Sequence, residues 1–118
     1  MIQFFSTELE LGVLIIENTT YMEKIMTEIM RTLGFRNIRR ANNIITAYQM
    51  LNGEKFGLIM GEAIMAPRSI NHLCLALRTA ADSNARAVPV IATISEPKAE
   101  VIRGARNAGV NLVVSKPT

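Results

Sequence analysis

The chain has 118 residues, 49% of them apolar and 19% charged, with a formal net charge of +3. That length fits a single domain over residues 1–118, and the apolar share excludes a disordered polar chain. No apolar run approaches the roughly 20 residues of a membrane helix. One cysteine, Cys74, excludes an internal disulfide and a zinc cluster. The cations are dispersed apart from Arg36, Arg39 and Arg40, and aromatics make up only 5% of the chain, a poor footprint for DNA or RNA. Met1 to Glu10 has no basic start, so no leader is expected there. A reducing, cytoplasmic setting is expected.

Gly12 to Ile16 is a short β-branched run and reads as a buried strand. Thr19 or Thr20 can cap the helix that follows. Met22, Ile25, Met26, Ile29, Met30 and Leu33 recur at helical spacing, and Gly34 stops them. Asn37 to Ala41 is a half-apolar second strand. Ile44 to Leu51 forms a second helix, ended by Asn52-Gly53. Phe56 to Met60 is a third, charge-free strand. Ile70, Leu73, Cys74 and Leu77 mark a third helix, with His72 off its apolar stripe. Val88 to Ile94 is a fourth strand, with Pro89 near its start. Pro97 suits the first turn of a fourth helix, which turns Val101, Ile102 and Ala105 inward and stops at Gly109. Asn111 to Val114 is a fifth strand.

Strands alternating with helices five times imply a doubly wound α/β fold with a parallel sheet and right-handed crossovers. No helix pattern follows the fifth strand. One face of the sheet is therefore expected to lack a cover layer, which favours self-association across it. Such sheets place their chemistry at the C-terminal ends of the strands. Those ends carry Glu17-Asn18, Glu62 and Lys116-Pro117.

Four segments in this order resemble the CheY-like receiver domain of two-component response regulators. Val13-Leu14-Ile15-Ile16-Glu17-Asn18-Thr19 is similar to its first strand and acidic pair. Leu58 to Pro67 is similar to its phosphoacceptor strand and Met-Pro loop. Val88-Pro89-Val90-Ile91 is similar to its fourth strand. Ala105 to Asn111 with Ser115-Lys116-Pro117 is similar to its last turn and lysine. The resemblance implies a five-stranded sheet of order 2-1-3-4-5, here apparently without the last helix. It also implies signal transduction through a phosphorelay, with Mg²⁺ and a phosphorylated aspartate.

At the functional positions the resemblance falls on other residues. The acidic pair falls on Glu17 and Asn18, the phosphoacceptor on Glu62, and the switch hydroxyl and switch aromatic on Ile94 and Val113. Lys116 alone matches outright. Asn18 removes a charge that Mg²⁺ would use. Glu62 moves its carboxylate by about 1.5 Å, one C–C bond, and phosphoryl transfer depends on placement. Mg²⁺ binding is thus expected to be weak or absent, with no catalytic residue. The expected role is a degenerate, non-enzymatic receiver acting through protein contacts with a histidine kinase or a downstream target, with a homodimer possible and neither DNA nor a membrane as partner. Glu62 beside Lys116 would stand in for a phosphorylated side chain. Two alternatives stay open. One is a sensor of phosphate-bearing nucleotides such as cyclic dinucleotides, gripped by Arg103 and Arg106, which are three apart and share a helix face. The other is a receiver phosphorylated at a non-standard residue, Glu62, Thr93 or Ser95.

Overall fold

The computed structural model describes residues 6–64 and 69–116. Five parallel strands form one sheet of order β2-β1-β3-β4-β5. They are β1 (Val13–Ile16), β2 (Ile38–Ala41), β3 (Leu58–Glu62), β4 (Val90–Ile94) and β5 (Leu112–Ser115). The helices are α1 (Ser6–Leu11), α2 (Thr20–Thr32), α3 (Ile44–Gly53), α4 (Ile70–Arg78), α5 (Ser83–Ala87) and α6 (Ala99–Asn107). The expected α/β fold and strand order are both found. Among the described residues no helix is long and apolar enough to cross a membrane.

Several boundaries differ from expectation. Gly12 has φ +92°, so it turns into β1 instead of extending it. β3 starts two residues late, at Leu58, and runs on to include Gly61 and Glu62. Phe56 is buried ahead of the strand. β4 starts after Pro89, which has no amide hydrogen for the ladder. Lys98 is the N-cap of α6, so Pro97 lies just outside the helix. Met65, Ala66 and Pro67 of the expected loop lie outside the described residues.

Alternation along the strands sorts the apolar side chains onto two faces. Leu14, Ile16, Ile59, Val90, Ala92 and Ile94 meet Ala47, Leu73, Cys74 and Ala105 of α3, α4 and α6. Val13, Ile15, Leu58, Met60 and Ile91 meet Met26 and Met30 of α2, together with Phe35. Cover on the latter face is partial, with Leu112 of β5 39% exposed. Met60 and Ile91 are only 7% and 6% exposed, and Leu9 of α1 packs against this cluster. Six residues without a repeat of the core period give no sequence sign of α1. α5 was invisible for a similar reason, because none of its five residues is buried.

Candidate functional site

Register brings the strand ends together. Ile16 lies beside Gly61, Glu62 beside Thr93, and Ile94 beside Ser115. Backbone bonds continue past the strands. Glu17 donates its amide to the Ala41 carbonyl at 3.0 Å, Ala63 to Thr93 at 2.8 Å, and Lys116 to Ile94 at 2.8 Å. Each functional side chain therefore leaves from backbone held on a neighbouring strand. Gly61 lets the chain approach closely here, since a Cβ at that position would lie 2.9 Å from Ile70 Cδ1 at the start of α4.

The three ionic side chains converge. Lys116 Nζ lies 2.9 Å from Glu62 Oε1 and 3.0 Å from Glu17 Oε2. It also donates to Glu17 Oε1 at 3.2 Å, and the Thr19 amide donates to the same oxygen at 3.3 Å. Glu17 Oε2 gets charge from the ammonium but no aligned hydrogen bond. Side-chain exposure is nil for Glu17, 11% for Lys116 and 16% for Glu62. A carboxylate this buried is stable only when paired, and here one ammonium serves two of them. Burial alone would lower the Lys116 pKa. The hydrogen bonds that Lys116 donates to Glu62 and Glu17, and the charges of those carboxylates, overcome that and hold it above its ordinary 10.5.

The remaining positions take no part in this triad. Asn18 is exposed, and its Oδ1 accepts from Thr19 Oγ1 at 3.3 Å. Ile94 is 5% exposed and walls two hollows. One, of about 280 Å³, is shared with Glu62, Ile64, Ser95 and Lys98. The other, of about 360 Å³, lies between α6 and β5 beside Val113 and Arg106. Val113 is partly buried. Thr93 is 2% exposed and its Oγ1 donates to the Gly61 carbonyl at 3.3 Å, whereas Ser95 is exposed.

Mg²⁺ prefers near-octahedral oxygens from one or two free carboxylates plus phosphate and water. Here Glu17 and Glu62 are already engaged by an ammonium, and Asn18 turns outward. Among the described residues no group of three or more acidic, His or Cys side chains could hold a metal. The arginines do not converge either. Arg39 pairs with Glu54 at 2.8 Å and Arg40 with Glu23 at 3.6 Å, both on edge strand β2. Arg103 and Arg106 lie on α6, which packs on β5 at the opposite edge. Four strand spacings separate the two groups, about 19 Å.

Arg78 carries no sequence signal, yet it organises the other end of the sheet. It donates to the carbonyls of Val88 at 2.7 Å, Arg86 at 3.0 Å and Gly109 at 3.1 Å, and to Asn111 Oδ1 at 2.7 Å. His72 is exposed and completes a capping box with Ser69. Cys74 is fully buried on the α4 stripe, and burial pushes its thiol pKa up.

No protein-family model matches the chain. Individual proteins do. The chain is 32% identical to the chemotaxis protein CheY of Pseudomonas aeruginosa over 105 residues, covering 89% of this chain and 83% of that one. It is 30% identical to CheY-3 of Vibrio cholerae over 105 residues, covering 89% and 79%. Among solved structures, the fold matches the receiver domain of sensor histidine kinase PA1611 of P. aeruginosa, which holds a magnesium ion in its active-site cleft. The TM-score is 0.76 at 20% identity, covering 91% of this chain and 85% of that one. V. cholerae CheY4 matches with a TM-score of 0.79 at 16% identity, covering 91% and 87%. Sequence likeness at this coverage, on a sheet of this order, shows that the chain belongs to the CheY-like receiver domains of two-component signalling.

Proposed function

We propose that this receiver domain signals through protein contacts, with its site held by the Glu62–Lys116 ion pair in place of a phosphoryl group. The carrying observation is the 2.9 Å contact between Glu62 Oε1 and Lys116 Nζ. A phosphorylated side chain acts by adding negative charge and acceptor oxygens opposite a cation. Glu62 delivers charge to Lys116 directly, and its extra methylene supplies the reach. Ile94 offers no hydroxyl to hold a phosphoryl oxygen, and Val113 no ring to swing inward. The domain is thus a regulator and not an enzyme. It works in the cytoplasm on a histidine kinase or a downstream protein, with Mg²⁺ bound weakly or not at all.

Two measurements test this. Incubation with acetyl phosphate and Mg²⁺, followed by intact mass, is expected to leave the mass unchanged. Addition of one phosphoryl group would overturn the reading. Isothermal titration with Mg²⁺ is expected to show no saturable binding in the micromolar range. Should a phosphoryl group appear, its site discriminates further. Ser95 is exposed beside Glu62, while Thr93 is buried with its hydroxyl engaged. The nucleotide-sensor reading rests on Arg103 and Arg106, exposed three apart on α6, of which Arg106 lines the groove beside β5.

A further inference from the structure

Beside the triad lies the hollow of about 280 Å³, between the ends of β3 and β4 and the start of α6. Small-molecule sites measure roughly 300–1,000 Å³, so this one suits a single inserted side chain. Ile64, Ile94 and Val101 wall it with apolar surface, and Glu62 gives it a carboxylate. Glu62 uses Oε1 for Lys116 at 2.9 Å, and its other oxygen accepts no hydrogen bond among the described residues.

The charges at this corner do not cancel. Lys116 faces Glu17 and Glu62, and Lys98 pairs with Glu96 at 3.2 Å. Three carboxylates against two ammoniums leave one negative charge beside the hollow. A second acceptor lies close by. Val101 and Gly104, three apart, share a face of α6. Gly104 faces Asn71 in the first turn of α4, whose Nδ2 lies 3.7 Å from the position of a Gly104 Cβ. Asn71 Oδ1 is buried and has no hydrogen-bond partner among the described residues, which is costly until a donor reaches it. Charge and hydrogen-bonding capacity thus ask for the same thing, a cation with several donors. An aliphatic stem behind that cation matches the apolar walls. An anion matches neither, because Lys98 is already paired and the excess charge is negative.

We propose that this hollow is a socket for an arginine side chain of the domain's protein partner, with the stem on Ile94 and Val101 and the guanidinium on Glu62 and Asn71. A guanidinium carries five donors in a planar fork, enough to serve a carboxylate and an amide oxygen together. The inference rests on the reading that Glu62 stays paired with Lys116 and free of phosphate, and it adds the chemistry of the partner. The incoming cation supplies the charge that the corner lacks, so docking and the Glu62–Lys116 pair favour one another.

The test is an amide-resolved NMR titration of the full chain with n-butylguanidinium, which has the stem and head of an arginine side chain, and with n-butyrate as its anionic counterpart. Butylguanidinium is expected to give saturable shifts at the amides of Glu62, Ser95 and Val101, and butyrate none. Glu62→Gln is expected to weaken binding about tenfold and Asn71→Leu about fivefold. Val101→Trp fills the hollow and is expected to abolish binding, and should that variant unfold, the two milder ones carry the test. Shifts that do not saturate, an equal response to butyrate, or wild-type affinity in Glu62→Gln or Asn71→Leu overturns the proposal. The two readings fail separately. A phosphoryl group gained from acetyl phosphate sinks the earlier one whatever the titration shows, and an empty titration with the mass unchanged sinks only the socket.

Discussion

Each end of the sheet is organised around one cation. At the C-terminal end, Lys116 meets two carboxylates. At the N-terminal end, Arg78 meets three backbone carbonyls and the Asn111 side-chain oxygen. The partners of Arg78 are neutral and mostly main chain, so they fix where α4, α5, β4 and β5 stand. The partners of Lys116 are charges on side chains, and their balance depends on protonation and on what else enters the site. One cation secures the frame. The other holds a charge pattern that a receiver can use as its state.

The sharpest way to break this comparison is to remove Lys116. Lys116→Met leaves Glu17 fully buried without its counter-ion, beside a second carboxylate. Losing one partner of a buried pair costs about 3–5 kcal/mol, to be read as a lower denaturation midpoint. Glu17→Gln added to Lys116→Met removes the stranded charge and is expected to restore much of that loss. A double variant no better than the single one would show that Lys116 does not act chiefly as the counter-ion of Glu17.

Arg78→Met comes next. Hydrogen bonds to charged groups contribute about 1.5–3 kcal/mol. Arg78 is only half-buried, so water re-satisfies part of what is lost, and a net loss of about 2–3 kcal/mol is expected in a denaturant melt. Arg78→Lys is expected to recover only a fraction, since an ammonium lacks the planar fork that reaches several carbonyls at once.

The two cations also differ in how legible they were. Lys116, Glu17 and Glu62 each end an apolar strand run, and strand ends of a parallel sheet converge, so their meeting follows from topology. Their distances do not, because a side chain's direction depends on the neighbours that pack it. Asn18 shows this. It is adjacent to Glu17 in sequence, yet it turns outward to Thr19. Arg78 ends an amphipathic helix, where a basic residue is ordinary. Its role depends on carbonyls up to 31 residues away, and no local pattern encodes those. The strand order was legible for a simpler reason: short connections between alternating elements leave few topologies. α1 was not, because its one described apolar anchor, Leu9, has no periodic companions among the described residues.

Alkaline titration separates the two ends with a smaller effect. The folded pKa of Lys116 is raised, so its contribution is complete below 10.5 and is lost as pH climbs through the higher folded value. The stability gap between wild type and Lys116→Met is expected to stay constant from neutral pH to about 10 and to narrow above the ordinary lysine range. The partners of Arg78 are carbonyls and an amide oxygen that carry no charge, so the gap between wild type and Arg78→Met is expected to persist. If both gaps close together, global alkaline unfolding and not Lys116 is responsible.

The smallest effect belongs to the cations that neither end uses. Arg103 and Arg106 are exposed on α6 and make no ion pair among the described residues. Substitution of such surface residues typically changes stability by no more than about 0.5 kcal/mol, and that is the expectation for Arg103→Ala and Arg106→Ala. Calorimetry with cyclic dinucleotides is expected to show no binding to the wild type that these substitutions abolish. Saturable heat lost in Arg106→Ala would reverse the ranking of the three sites. It would make the groove between α6 and β5, where Arg106 stands beside Val113 and Ile94, a ligand site in its own right. The Glu62–Lys116 pair would then be the fixed background against which that ligand acts.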